Sequence, residues 1–257
     1  MDLCILEKTL QLVKLGKKVA LVILTKSSGS TPRKEGTAMS VWDESFIGTI
    51  GGGMVEHKVI ELARKSLNMN QNQSFSFDLN KEAELGMSCG GSVEGYIKIV
   101  RPKNRVVILG AGHIGKSLYQ ILEGSDFETI IIDDREEYKN LIPNLKIGNY
   151  NEILKNISEN ENTYFVIVTR GHETDSQSLK AILEKKSRYI GMVGSKKKIV
   201  EIRNDFKRLG LLIPEEKFYS PVGLKLSDGT PYEIAVEILA EILSIKNDGE
   251  LRHRRSY

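Results

Sequence analysis

The sequence has few cysteines, few prolines and little net charge. Its 257 residues include two cysteines and six prolines. Two cysteines cannot form the disulfide framework of a small secreted domain, and Cys4 and Cys89 lack the paired spacing of a structural zinc site. Basic residues outnumber acidic residues by 37 to 34. That excess is too small to indicate nucleic-acid binding without a local basic patch.

Long hydrophobic runs are also missing. No apolar segment approaches the roughly 18 residues that a membrane span needs. Residues 1–18 lack the small-residue cleavage site of a signal peptide. With 40% hydrophobic and 28% charged residues, the composition is that of a globular protein. We therefore expect a cytoplasmic protein with no membrane partner and no nucleic-acid partner.

The chain changes character near a polar stretch that contains Pro102. Before this stretch, short apolar segments are separated by glycines; after it, β-branched runs alternate with helical patterns. Alternation of strands and helices is typical of a parallel sheet. The sequence therefore predicts an α/β protein in which a small N-terminal α+β domain, residues 1–101, precedes a Rossmann-like, doubly wound parallel-sheet domain, residues 102–257.

Four local predictions bear on the later comparison with the structure. The pattern predicts a buried strand over residues 19–25, a loop over 27–32 and a helix that begins at Ser176. A cap by Thr174 or Asp175 is the structural alternative to a ligand site in the turn before that helix. It also predicts a first helix with Cys4 in the core and with an apolar face made of Leu3, Leu6, Leu10 and Val13.

A glycine motif follows the first predicted strand of the second domain. Gly110, Gly112 and Gly115 stand between that strand and a helix, in the G-x-G-x-x-G spacing of dinucleotide-binding turns. Gly110 allows the tight turn, Gly112 lets the backbone approach a pyrophosphate at the helix N-terminus, and Gly115 allows close helix–sheet packing. An adenine-containing ligand, either a dinucleotide or a pterin dinucleotide, is therefore expected here.

An acidic residue ends the next strand. Asp133 lies 23 residues after Gly110, close to the spacing of about 20 at which an acid binds a ribose hydroxyl. Arg135 could instead accept a 2′-phosphate, which would favour NADP over NAD. The choice between NAD and NADP stays open at this point.

Two further turns follow later strands of the same domain. The first, Thr169–His172, supplies Arg170 and His172, and open α/β sheets bind ligands at this edge. The second supplies Gly194 and Ser195 ahead of three lysines, which is compatible with an anion-binding loop or with a solvated helix start.

The first domain carries its own glycine-rich segments. Gly51, Gly52 and Gly53 precede a predicted helix and form a candidate anion cradle, to which Arg33 could supply charge. Cys89 lies between a serine and two glycines, where backbone N–H groups would favour the thiolate that binds metal or sulfur.

Taken together, these motifs resemble the xanthine dehydrogenase accessory factor family (XdhC/CoxI). The resemblance is carried in chain order by S-S-G-S-T-P-R, T-I-G-G-G-x-x-E, C-G-G, V-I-L-G-A-G-H-I-G, T-R-G-H, Y-I-G-M-V-G-S-K-x-K and S-P-V-G-L. It implies a homodimeric chaperone that binds the molybdenum cofactor (molybdopterin), protects it during sulfuration and delivers it to a molybdenum hydroxylase. It also implies contacts with the apo-enzyme and, as a further candidate, with a cysteine desulfurase.

The same resemblance makes Cys89 the candidate ligand to molybdenum and assigns the pterin phosphate or dinucleotide to the two glycine-rich regions. Two anion cradles and a loop thiol without a catalytic dyad favour a cofactor-binding maturation factor over an enzyme. Two alternatives stay open. One is an NAD(P)-dependent oxidoreductase that uses Asp133 and His172. The other is a nucleotidyltransferase that uses the pair Asp133 and Asp134 to bind metal.

Overall fold

The structure is a computed structural model that describes residues 3–29, 33–43, 45–78, 91–158, 160–253 and 255. The chain divides into two compact units, Met1–Pro102 and Lys103–Tyr257. This division lies one residue from the predicted domain boundary. Within the described ranges, no helix is both long and apolar enough to cross a membrane.

The first unit is an antiparallel sheet with two helices. Its five strands lie in the order β3-β2-β1-β5-β4. Helix α2 packs on the sheet through Val55, Val59 and Ala63, which join the strand residues Val22 and Ile97 in one apolar core. The elements of this unit are α1 (Leu3–Lys14), β1 (Val19–Gly29), β2 (Ala38–Trp42), β3 (Ser45–Gly48), α2 (Gly53–Met69), β4 (Gln73–Asp78) and β5 (Gly91–Val100).

Helix α1 buries a different face from the predicted one. Its buried residues are Ile5, Thr9 and Leu12, and Thr9 shares a 2.6 Å hydrogen bond with the hydroxyl of buried Ser40. The prediction was wrong because leucines are present on both faces, so hydropathy alone did not identify the buried one. Cys4, expected in the core, is exposed. The exposed residues of the predicted apolar face are Leu3, Leu6 and Leu10.

Strand β1 continues beyond its apolar part. A loop was predicted over residues 27–32, but β1 pairs with β5 as far as Gly29, after a register shift between Leu24 and Lys26. The hydroxyls of Ser28 and Ser92 lie 2.9 Å apart across this pairing. The prediction was wrong here because backbone pairing with a long neighbour extends a strand through polar residues.

The second unit is a six-stranded parallel sheet, and this confirms the predicted fold class. The strands lie in the order β11-β10-β9-β6-β7-β8, so the direction of winding reverses between β6 and β9. The elements are β6 (Arg105–Leu109), α3 (His113–Leu122), β7 (Glu128–Asp133), a short 3-10 helix (Glu136–Tyr138), β8 (Lys146–Ile147), α4 (Tyr150–Lys155), β9 (Thr163–Ile167), α5 (His172–Leu183), β10 (Tyr189–Met192), α6 (Lys196–Arg208), β11 (Phe218–Tyr219) and α7 (Pro231–Asn247).

Both faces of the parallel sheet are covered by helices. Residues of α3 and α7, such as Leu118 and Ile238, pack on one face together with Val106 and Ile108 of β6. Residues of α4, α5 and α6 pack on the other face, where Val107 and Leu109 of the same strand are buried. Burial on both faces explains why β6 consists of a continuous apolar run after Arg105.

Helix α7 holds the loop that precedes it through three glutamates spaced one helical turn apart. Glu233 forms a capping box at the start of the helix. Glu237 and Glu241 accept hydrogen bonds from backbone N–H groups farther back in the loop. The donors are Thr230 for Glu233, Leu226 and Ser227 for Glu237, and Gly223 together with the Tyr189 hydroxyl for Glu241.

Candidate functional site

The glycine turn after β6 lies at the point where the winding of the parallel sheet reverses. A Cβ at Gly110 would lie 2.4 Å from the carbonyl oxygen of Val168, at the end of β9. A Cβ at Gly115 would lie 1.9 Å from the carbonyl oxygen of Gly110, so only glycine allows α3 to approach the turn this closely. A Cβ at Gly112 would meet no atom within 4 Å. The turn is therefore tight against the sheet and open at the N-terminus of α3, where doubly wound folds bind ligands.

The turn after β9 faces the glycine turn from the other side of the switch point. Helix α5 begins at His172 with Gly171 as its N-cap, so the predicted start at Ser176 is wrong, and neither Thr174 nor Asp175 caps the helix. The helix begins at a glycine N-cap without a side-chain cap hydrogen bond, and the polar residues His172–Asp175 form its first turn. His172 is exposed in the first turn of α5, as His113 is in the first turn of α3.

An ion pair joins the first turns of α5 and α6, the helices that follow β9 and β10. The Asp175 carboxylate accepts hydrogen bonds from the Thr169 hydroxyl and from Lys198 Nζ. Asp175 is almost completely buried, and burial raises the pKa of its carboxyl above the ordinary value of 3.8 despite the bonds from Lys198 and Thr169. The segments after β9 and β10, which were predicted as separate candidate sites, are thus connected by this ion pair.

Gly194 and Ser195 position this lysine. The Ser195 hydroxyl caps α6 by accepting a hydrogen bond from the Lys198 backbone N–H at 3.3 Å. A Cβ at Gly194 would lie 3.3 Å from Cδ of Lys198, so the glycine leaves room for the lysine chain. Lys198 is used internally, whereas Lys196 and Lys197 are exposed.

A second ion pair connects residues that follow β9 and β7. Arg170 Nη2 lies 3.3 Å from Asp134 Oδ2. Because β6 lies between β9 and β7, this pair spans the strand that carries the glycine turn. Of the candidate cations beside the turn, Arg170 is the more exposed, with 59% of its side chain accessible, against 18% for Arg135.

Asp133 has no free acceptor position for a ribose hydroxyl. It is fully buried, and its oxygens accept hydrogen bonds from Ala111 N at 2.6 Å and from three N–H groups of Arg135. The ribose-binding residue expected for NAD and the 2′-phosphate-binding residue expected for NADP are therefore bonded to each other. The residues present do not fit either nucleotide in the expected way, and Asp133 cannot join Asp134 as a metal ligand without breaking these bonds.

In the first unit, the segment from Thr49 through Gly52 binds the carboxylate of Glu56, a residue of the same chain. Gly51, Gly52 and Gly53 all have positive φ, from 62° to 142°, a combination that favours glycine strongly. The Glu56 carboxylate reaches back from α2 and accepts hydrogen bonds from Thr49 Oγ1, from Ile50 N at 3.0 Å and from Gly52 N at 3.1 Å. An external anion would therefore have to compete with Glu56 at this position.

Arg33 lies beside the same segment. It lines a groove of about 350 Å³ together with Glu35, Thr49 and Gly48. The structure thus brings together Arg33 and the residues that lead into the three glycines. Cys89 and the neighbouring Gly90 lie outside the described residues.

Matches to known families follow the same two units. A model of the XdhC Rossmann domain matches residues 106–242, more than half of the chain. A model of the XdhC and CoxI family matches residues 12–78. The chain belongs to the XdhC and CoxI family.

Two relatives of this XdhC family chain have similar levels of identity. The uncharacterized protein YqeB of Escherichia coli (strain K12) is 29% identical over 240 residues, which are 89% of the chain and 44% of YqeB. A probable xanthine dehydrogenase subunit of Bacillus subtilis (strain 168) is 29% identical over 157 residues, which are 59% of the chain and 46% of that protein. The chain therefore spans about half the length of these relatives.

A solved structure shares the fold of this XdhC family chain. The crystal structure of a xanthine dehydrogenase from Bacillus halodurans matches with a TM-score of 0.51 over 98% of this chain and 97% of that one. The sequence identity is 20%, so the match is evidence about the fold alone.

Sequence reasoning about this XdhC family chain missed two carboxylates that occupy its predicted anion-binding positions, those of Glu56 and Asp175. Glu56 was visible in the T-I-G-G-G-x-x-E motif, where an acid one turn into a helix is well placed to cap its own N-terminus. The pairing of Lys198 with Asp175 had no local signal, since the two residues are 23 positions apart. Among the described residues, no group of three or more His, Cys, Asp or Glu side chains could hold a metal ion.

Proposed function

We propose that this chain is an accessory factor that binds the molybdenum cofactor as cargo and supports its sulfuration and insertion into a molybdenum hydroxylase of the xanthine dehydrogenase type. The observation that carries the proposal is the family match in both units, because this family is associated with xanthine dehydrogenase maturation. The name of the Bacillus subtilis relative supports the same client class.

The geometry supports a role in binding a negatively charged ligand. Arg33 lines an open groove beside the cradle segment of the first unit, and Arg170 stands exposed beside the glycine turn of the second. A guanidinium group suits a phosphate because it presents paired N–H donors in one plane. We therefore assign Arg33 as the candidate phosphate-binding residue of the first unit and Arg170 as that of the second, each within its own unit.

We assign molybdenum contact to Cys89, with the hydroxylase apo-enzyme as the recipient of the cofactor. A cysteine desulfurase as sulfur source and a homodimeric state are further parts of this proposal.

The test is anaerobic titration of the purified protein with molybdopterin. We expect saturable binding that weakens in Cys89→Ser and in Arg33→Ala. Cys4→Ser is the matched control, since Cys4 is an exposed thiol on α1, and it should bind as the wild type does. Absence of molybdopterin binding by the wild type would overturn the proposal.

Delivery is tested with the same proteins. Loaded wild type should restore activity to a molybdenum-free apo-hydroxylase faster than free molybdopterin does. An equal rate with and without the protein would leave cofactor binding in place but contradict the role in insertion.

A further inference from the structure

The corner of the glycine turn next to β7 is the part of a doubly wound fold that distinguishes dinucleotides. In NAD-binding members, a carboxylate there accepts the ribose hydroxyls, and in NADP-binding members a nearby arginine binds the 2′-phosphate. This chain has both residue types at the corner, Asp133 and Arg135. The contacts of these two residues therefore determine whether either nucleotide can bind here.

All acceptor positions of Asp133 are used by the chain. A carboxylate has about four lone-pair positions. Oδ2 accepts from Ala111 N at 2.6 Å and from Arg135 Nη2 at 2.8 Å, and Oδ1 accepts from Arg135 N at 3.0 Å and from Arg135 Nε at 2.7 Å. A ribose hydroxyl could bind only by displacing one of these donors.

Arg135 is equally committed. Besides its two side-chain bonds to Asp133, it donates from Nη1 to the Tyr138 hydroxyl at 3.1 Å. Its guanidinium carbon lies 4.0 Å from the centre of the Tyr138 ring, within the range of a cation–π contact. A 2′-phosphate would have to separate Arg135 from both partners.

The charge state of the pair agrees with this geometry. Burial disfavours ionization of Asp133, but the hydrogen bonds from Arg135 and Ala111 outweigh burial and hold its pKa below the ordinary value of 3.8. The pair is therefore ionized at neutral pH and ties β7 to the glycine turn through the Ala111 N–H.

We propose that the Asp133–Arg135 ion pair closes the ribose-binding corner of the glycine turn from within, so that this unit rejects NAD and NADP. The crevice is then reserved for ligands that do not place an adenosine ribose at this corner. This selectivity is independent of molybdopterin binding, and each proposal can fail without the other.

The experiment is a titration of the full chain with NADH and with NADPH, followed by nucleotide fluorescence. Wild type should show no saturable binding of either nucleotide. Arg135→Ser removes the side-chain donors from Asp133, and we expect it to bind NADH saturably, with a Kd at least about tenfold below the highest concentration at which the wild type shows no binding. NADPH should gain less, because the variant lacks the cation for the 2′-phosphate.

Two variants act as controls. Tyr138→Phe removes the hydroxyl that Arg135 contacts but leaves the ion pair, and it should bind no better than the wild type. If Arg135→Ser does not fold, Arg135→Lys replaces it, since a lysine can hold only part of the Asp133 carboxylate; its NADH affinity should also exceed that of the wild type.

Saturable binding of NADH or NADPH by the wild type would overturn the proposal. If Asp134→Asn then abolished that binding, Asp134 would be the ribose acceptor. Failure of the folded Arg135 variants to bind NADH better than the wild type would also overturn it. Anaerobic titration of the same samples with molybdopterin reports separately on the proposed function.

Discussion

Lys198 and Asp175 form an ion pair that joins the first turns of α6 and α5, the helices that follow the neighbouring strands β10 and β9. Asp175 is almost fully buried, while 24% of the Lys198 side chain is accessible. The two ends of the pair therefore differ in what happens when the partner is removed. Lysine can extend its ammonium group to water, but the carboxylate cannot leave its site.

We expect Lys198→Met to destabilise the protein by about 3–5 kcal/mol, because it leaves a buried carboxylate uncompensated. Asp175→Asn should cost less, and the double variant should recover part of the loss of Lys198→Met. Unfolding by urea measures all three free energies. Equal costs for the two single variants would contradict this account.

The cost of Lys198→Met should depend on pH. Burial already places the folded pKa of Asp175 above 3.8, and removing Lys198 should raise it further. A raised pKa means that ionization of the carboxyl opposes folding. The destabilisation should therefore be largest at neutral pH and shrink as the pH falls toward 3.8, whereas a cost independent of pH would point to lost packing instead.

Two glycines of the same motif should lose stability by different amounts when replaced by alanine. Gly115→Ala places a Cβ 1.9 Å from the Gly110 carbonyl oxygen, and overpacking of this kind costs about 1–3 kcal/mol or more. Gly112→Ala meets no atom within 4 Å at a negative φ, so it should cost less than about 1 kcal/mol as a poorer N-cap. Urea unfolding of the two variants measures both free energies. Similar losses of stability would contradict the close approach of α3 to the turn.

Removal of Glu56 should open the cradle of the first unit. Glu56→Ala frees the three donors of Thr49, Ile50 and Gly52, and hydrogen bonds to a charged group contribute about 1.5–3 kcal/mol each at most. We expect a lower melting temperature that inorganic phosphate restores in part. Glu61→Ala is the control, because Glu61 is an exposed acid on the same helix. If phosphate raised the melting temperatures of the wild type, Glu56→Ala and Glu61→Ala equally, the removal of Glu56 would not have opened an anion site.

The pKa of Glu237 should be lower than the ordinary value of a glutamate. Hydrogen bonds from the Leu226 N–H, and then from Ser227, outweigh its small desolvation and lower its pKa from 4.5. A lowered pKa adds stability above pH 4.5, and that stability is lost as the pH falls through the folded pKa. Carboxyl NMR should show the low pKa, and amide exchange at Leu226 and Ser227 should accelerate in Glu237→Gln at neutral pH. Unchanged exchange would show that Glu237 does not hold the loop.

Most of the second unit could be predicted from sequence because its signals are local. The apolar run of β6, the glycine spacing and the following helix each depend on neighbouring residues, and all three are present in the structure. The same reasoning placed Gly110 and Arg170 at one edge of the sheet, since parallel strands share the edge at which they end.

The contacts that decide the chemistry could not be predicted in the same way. Asp133 has the spacing of a ribose-binding acid, but its availability depends on the rotamer of Arg135 and on the approach of Ala111. The predicted buried face of α1 was wrong for a related reason. Leucines lie on both sides of the helix, and only packing against Ser40 and its sheet determines which side is buried. Local patterns indicate which groups are present, and tertiary contacts decide which remain free.

The three glutamates of α7 make the conformation of the loop depend on the phase of a helix. Each residue added to a helix rotates everything after it by about 100°. A single residue inserted after Val236 would leave the capping box of Glu233 intact but turn Glu237 and Glu241 away from the amides of Leu226, Ser227 and Gly223. Substitution of one glutamate releases one point of attachment, whereas an insertion of one residue would release two at once without changing the charge of the helix.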